Sequence, residues 1–247
     1  MNIYENRAVA FIDILGFRSL IRQRKERDIL DVLSTPPSFD DMFRTMSSSE
    51  LDFQVTRFSD SIVCSMRIPH RKNLGAGLFV AAYAGHLALE MLAKGILVRG
   101  AITAGQLYHR EDIVFGPAMV DAYELESKHA HYPRIIVLDK LAGAINLSTM
   151  VGFGAEWWIK HQPFRRDFDG VFHLDILGAF YIGFRPDALR LQSKRPIEDL
   201  GPVTARAIGK ICRQKHKDPR ISTKQAWLAS YLADCCKRYA WRRPSWA

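Results

Sequence analysis

The chain has 247 residues, room for one elaborated domain or two small ones, and its 48% hydrophobic and 25% charged residues are ordinary for a soluble globular protein with a sizeable core. The formal charge of +9 favours anionic partners: nucleotides, nucleic acid or acidic membranes. There is no internal repeat, no low-complexity segment, and no stretch approaching the ~18–20 apolar residues of a membrane helix.

From the N-terminus, Ala8 to Ile12 is an apolar run of strand formers that Gly16 breaks. Leu20, Ile21, Ile29, Val32 and Leu33 recur at roughly helical spacing, so Phe17 to Leu33 is predicted as a helix, ended by Pro36 and Pro37. Leu51–Phe58 and Ile62–Met66 read as strands of a hairpin that turns at Ser59-Asp60-Ser61. Gly77 to Lys94 reads as a buried helix closed by Gly95, and Ile96 to Thr103 returns to strand character. His109 and Arg110 are placed in a solvated loop. Phe115 to Lys128 is helical, with Pro117 suited to its first turn, and Arg134 to Leu138 is a further strand.

Beyond about residue 150 the signal weakens. Trp157 and Trp158 are expected to pack, Val171 to Ile176 to form a strand, and Ile197–Lys217 and Thr223–Trp241 to be helices. The order predicts an α+β, ferredoxin-like βαββαβ fold, partly antiparallel with helices on one face. Residues 1–150 form the core in this reading, and 151–247 a mostly helical extension that completes it. Lys237, Arg238, Arg242 and Arg243 put much of the positive charge in the tail.

The opening MNIYENRAVAF lacks a signal-peptide layout. The four cysteines (Cys64, Cys212, Cys235 and Cys236) have neither CxxC nor Cys/His spacing, so neither disulfides nor a zinc site is expected. These readings predict a cytoplasmic protein with reduced thiols.

Two strands each deliver an aspartate to their end, Asp13 in AVAFIDILGF and Asp60 in VTRFSDSIVCS. Singly, Asp13 could cap the following helix and Asp60 make an Asx-turn. In a β-α-β-β arrangement, however, their strands are neighbours. Paired carboxylates repel unless a cation lies between them, and hard oxygen ligands suit Mg²⁺ or Mn²⁺. The carbonyl of Ile14 is a further candidate ligand. The Ile14-Leu15-Gly16-Phe17 loop before a helix offers backbone N–H groups to phosphate. Arg99, Arg134 and Arg57, in that order, are candidates for phosphate contact, although Arg99 could equally pair a structural carboxylate and Arg134 lie on the surface. Thr56, Arg57 and Asp112 are candidate readers of a base.

FIDILGF and FSDSI resemble the two metal motifs of class III nucleotidyl cyclases, and VRGAITAGQLYHREDIVFGPAMVDAYELES (Val98 to Ser127) resembles the strand, loop and helix that follow. The likeness covers roughly residues 8 to 140. Where most purine cyclases carry an Asn and an Arg in the last helix, this chain has Val120 and Glu124, and Thr56 replaces the adenine-reading lysine. In these features, and in the Lys224-Gln225-Ala226-Trp227-Leu228-Ala229-Ser230-Tyr231 run, the chain is similar to the pyrimidine cyclases of bacterial Pycsar anti-phage systems.

That resemblance implies conversion of UTP to cyclic UMP, with CTP to cyclic CMP as the alternative, and an effector that responds to the product. It implies two Mn²⁺ or Mg²⁺ ions held by Asp13, Asp60 and the Ile14 carbonyl, with Arg99 catalytic and Leu15, Gly16, Phe17, Thr56, Arg57 and Arg134 at the nucleotide. It also implies a homodimer with shared active sites. A non-catalytic nucleotide sensor of the same fold and a polymerase-type palm are the rival readings. The GG[DE][EF] turn of diguanylate cyclases is lacking, and no aromatics interleave with Lys/Arg as single-strand nucleic-acid binders require.

Overall fold

The structure, a computed structural model, describes residues 3–34, 52–69, 75–153, 162–177, 206–214 and 216–238. Pro36, Pro37, Leu51, Trp157, Trp158, the first part of the expected 197–217 helix, and Trp241, Arg242 and Arg243 lie outside them.

The strands are β1 (Glu5–Ile14), β2 (Gln54–Phe58), β3 (Ser61–Arg67), β4 (Val98–Arg110), β5 (Ile113–Phe115), β6 (Ile135–Val137), β7 (Phe164–Arg166) and β8 (Phe172–Leu174). The helices are α1 (Phe17–Gln23), α2 (Glu26–Leu33), α3 (Gly75–Ala93), α4 (Pro117–His129), α5 (Asp139–Phe153), α6 (206–213) and α7 (Pro219–Arg238). One sheet runs in the order β2-β3-β1-β4-β6-β8-β7, with β5 paired to β4. Strand β1 is antiparallel to both β3 and β4, the arrangement a βαββαβ unit generates. The fold is α+β with a ferredoxin-like core. β7 and β8 continue its sheet beyond residue 150.

β1 is an almost unbroken apolar run because both of its faces are covered. Ala8, Ala10, Ile12 and Ile14 pack with α3 and α7 in the main core. Val9 and Phe11 face the other way, against Ala118 and Ala122 of α4. The expectation of helices on one face is corrected here: α4 covers the opposite face, because its inward positions are alanines small enough to sit directly on the sheet.

Three other readings change. The expected helix over 17–33 is two, because Arg24 and Lys25 are extended (ψ 155° and 151°) and Glu26 and Asp28 favour a fresh helix N-terminus. α3 is long and apolar enough to cross a membrane, but 78% of that span is buried inside the fold. β4 runs on to Arg110 and folds back through β5, so His109 and Arg110 belong to a strand and not to a loop. The small residues of β4 allow its close approach to β1 and α4.

A Cβ on Gly100 would sit 2.5 Å from the Phe11 carbonyl oxygen, whereas one on Gly105 would meet Ala118 Cβ at 3.4 Å. Backbone cannot rotate out of the way, so overpacking at residue 100 is costly. Gly100→Ala is expected to cost about 3 kcal/mol in urea unfolding, and Gly105→Ala less than about 1 kcal/mol. Equal costs would show that β1 and β4 are not this close.

Candidate functional site

In the register of the sheet, Asp13 stands opposite Ser61 on one side and Arg99 on the other. Asp60 occupies the two-residue turn just before Ser61, and its carbonyl accepts a hydrogen bond from the Ile14 N–H at 2.9 Å. Two aspartates far apart in the chain therefore arrive at one end of two neighbouring strands. Ser59, beside Asp60, takes a left-handed backbone (φ 55°), an uncommon conformation for a non-glycine residue that tightens this turn.

The Asp13 carboxylate does not stand alone. Arg99 Nε donates to its Oδ2 at 3.1 Å and lies 2.6 Å from Oε1 of Glu126, a carboxylate that α4 buries on the same face. Burial pushes the Glu126 carboxyl above its ordinary value, with Asp13 adding to the rise and Arg99 opposing it. Arg99 thus lies between two acids, and the position next to Asp13 already favours a cation. Glu126 is the member of this group that sequence reasoning passed over. It lies three turns into an expected helix, with only that helix's inward face to mark it.

Among the described residues no three His, Cys, Asp or Glu side chains gather to hold a metal ion. The donors available to Mg²⁺ or Mn²⁺ are the two aspartates and main-chain oxygen. All are hard oxygen donors and two are anionic, which fits such ions provided nucleotide or water completes the shell.

The other candidates are dispersed. The Leu15 N–H donates to the Leu97 carbonyl, and Gly16 (φ 75°) forms the N-cap of α1, followed by Phe17. Arg57 extends toward α3, where it donates to the Tyr83 hydroxyl at 3.1 Å, on the face of the sheet away from Asp13. Arg134 is fully buried and clasped by Asp167 and Asp169, with Tyr132 5.1 Å beneath its guanidinium, so its charge is met within the fold. Asp112 is exposed in the β4–β5 turn, and Val120 and Glu124 lie on the outer side of α4, Glu124 paired with Lys128.

No family model matches the sequence. Nor does any curated protein match it. Among solved structures, the adenylyl cyclase CyaB from P. aeruginosa is 16% identical, with 57% of this chain and 81% of that one covered and a TM-score of 0.42. An adenylate/guanylate cyclase/hydrolase from Silicibacter pomeroyi is 16% identical over 69% of this chain and 94% of that one, TM-score 0.42. A class III adenylyl cyclase-like ATP-binding protein from Pseudomonas aeruginosa is 13% identical over 83% of this chain and 45% of that one, TM-score 0.44.

Thr56 shares the face of Asp13 but is engaged in a chain of hydrogen bonds. Its hydroxyl donates to the Glu111 carbonyl at 2.6 Å and contacts His109 Nε2 at 2.9 Å, while His109 Nδ1 contacts Ser65 Oγ at 2.9 Å and Ser65 accepts from Arg7 Nε at 2.9 Å. With both ends fixed as donors, only one assignment satisfies every atom: neutral His109 donates from Nε2 to Thr56 and accepts at Nδ1 from Ser65. Burial, reinforced by nearby Arg7 and opposed by Asp52, pulls His109 down to about 4. Burial also brings His86 to about 4, against the pull of the Ala82 carbonyl.

Both folded values lie below the ordinary histidine value, so the unfolded chain binds more protons. The stabilisation is complete above about pH 6.5 and is lost as pH falls toward 4, at about 1.4 kcal/mol per pH unit for each group. The stability gap between the wild type and His109→Gln should therefore be widest above pH 6.5 and shrink by about 3 kcal/mol by pH 4. A gap that stays constant across that range in urea titrations would mean that His109 titrates as an exposed imidazole.

Proposed function

We propose that this chain is a nucleotidyl cyclase that converts UTP to 3′,5′-cyclic UMP and diphosphate, a messenger for an anti-phage effector. The observation that carries this reading is the arrival of Asp13 and Asp60 at one sheet end, with a cation already beside Asp13. The replacement of purine-type residues by Val120, Glu124 and Thr56 favours a pyrimidine base, and CTP is the alternative substrate.

Asp13 and Asp60 would hold the metal, with the Ile14 carbonyl beside them. Mg²⁺ or Mn²⁺ bound there would supply the charge that makes the ribose 3′-OH more acidic and neutralises the triphosphate. The protein's own task is placement. The 3′-oxygen must lie in line with the α-phosphorus, and charge must be met where the diphosphate departs. Arg99, paired with Asp13, is the guanidinium that would meet it, exchanging a carboxylate for phosphate oxygens when substrate enters. The backbone at Gly16 and Phe17 lies at the same end of β1.

Assembly as a homodimer with shared sites is part of this proposal. It is supported by the outer face of α4, where Val120 and Tyr123 are each 55% exposed, and by Phe58 at the site's hairpin, 79% exposed. A non-catalytic nucleotide sensor is the second reading, favoured by the closure of Arg99 onto Asp13 and Glu126.

Incubation with ATP, GTP, CTP or UTP and Mn²⁺, followed by mass spectrometry, is expected to yield cyclic UMP. Asp13→Asn and Asp60→Asn should each lower its formation by about 100-fold or more without unfolding the protein. Nucleotide binding with no cyclic product from any of the four would establish the sensor instead. Specific activity should fall on dilution below the dimer's dissociation constant. Activity per subunit that holds down to the monomer removes the shared-site arrangement.

A further inference from the structure

The C-terminal helix α7 is anchored at several points. Trp227 Nε1 donates to Asp167 at 2.7 Å, the Tyr231 hydroxyl donates to buried Asp175 at 2.6 Å, and the Leu177 N–H donates back to Tyr231 at 2.8 Å. Its apolar side reaches the beginning of β4: Leu228 and Tyr231 line a small cavity with Leu97 and Val98. Arg99, the site arginine, is the next residue along that strand. Lys224 lies one helical turn before Leu228 on the same side of α7, near the end of β4 that holds Val98.

Lys224 differs from the other cations of this region. Arg99, Arg134, Arg165 and Arg238 each engage carboxylates within 4 Å. Lys224 is half-buried, yet its side chain makes no hydrogen bond or ion pair among the described residues. Its electrostatic neighbours are the cations Arg99 and Arg220 and the carboxylates Asp13 and Asp218. Burial, with the two arginines adding to it and the two aspartates opposing it, pulls its ammonium below the ordinary lysine value. A half-desolvated ammonium with no carboxylate of its own, beside an acidic site and another cation, is placed to meet an anion that arrives from solvent.

We propose that Lys224 binds the β- and γ-phosphates of the nucleoside triphosphate, so that α7 completes the site that Asp13 and Asp60 begin. The proposal rests on the nucleotide-binding part of the reading above. Arg99 stands on β4 beside Asp13, and Lys224 comes from a separate element over the end of the same strand, so the two cations can bracket a phosphate chain. A lysine suits this role as a compact charge on a flexible stem.

The test is binding without turnover, in the full-length protein with Mn²⁺. Calorimetry with 3′-deoxyuridine triphosphate, which has no 3′-oxygen to cyclise, is set against calorimetry with 3′-deoxyuridine monophosphate. Lys224→Gln is expected to weaken the triphosphate about tenfold and the monophosphate less than about twofold, with Lys224→Arg recovering most of the loss. Lys237→Gln, an equal charge change at the exposed far end of the same helix, should alter neither. Unchanged triphosphate affinity in Lys224→Gln overturns the proposal, as does an equal loss for the two ligands. If triphosphate binding depends on Lys224 but no cyclic product ever forms, the cyclase reading falls and the Lys224 assignment stands. If the wild type binds no triphosphate, both fall.

Discussion

Strand β1 is hydrogen-bonded along both edges, and this antiparallel clamp fixes where charge can stand around the site. Its side chains alternate between two covered faces, so a slip of one residue against β3 or β4 would exchange them all. Ile12 and Ile14 would leave the core under α3, and Asp13 would enter it. An ionised carboxylate among those apolar side chains has no partner there, and that desolvation cost enforces the register more firmly than strand propensity could. Gly100 belongs to the same constraint. Its lack of a side chain lets β4 approach the Phe11 carbonyl, which brings Arg99 level with Asp13.

The inward-facing arginines follow a common pattern in this basic chain. Arg7 meets Glu5 and Asp52, Arg134 meets Asp167 and Asp169, and Arg165 and Arg238 share Asp175, whose carboxyl they help to hold at about 2 despite burial. Such buried pairs add little net stability, because desolvation offsets most of the attraction, but they penalise any arrangement that separates them. Arg99 fits the pattern with one difference. One of its two acids is also a candidate metal ligand, so ligand binding changes its partners without leaving it unpaired, because Glu126 remains.

The order of elements was legible because apolar runs, Gly16, Gly95 and the Gly116-Pro117 pair mark the strand and helix ends directly. The placement of Asp13 near Asp60 was legible for the same reason: a two-residue hairpin turn leaves little freedom in where Asp60 lies. Face was harder. Thr56 and Arg57 are adjacent, so they must point to opposite sides of β2, and both could not serve one nucleotide from within a single sheet. That parity was available from the sequence alone. The continuation of β4 past Thr103 was not, because its later residues gain strand structure by pairing with Glu5–Ala8 and with β5, contacts that local composition does not announce. Glu126 was hidden for a related reason, since an acid on a helix reads as solvated until the sheet beneath it is known.

The segment after residue 150 has a stronger structural claim on the site than its weak sequence signal suggested. β6 has only three residues, and without β8 beside it the sheet would end in a short edge next to β4. β8 in turn leads into Asp175, and Asp175 holds Tyr231 and Arg238 of α7, so the end of the sheet and the final helix are tied through one buried carboxylate. Removing that charge would loosen α7 from the sheet and weaken the stack of Trp227 on Tyr132. Lys224 lies within a turn of Trp227, so its position depends on the same contacts. The helix that closes the core therefore also carries Lys224, so under the proposed reading the packing of α7 and the phosphate contact depend on the same residues.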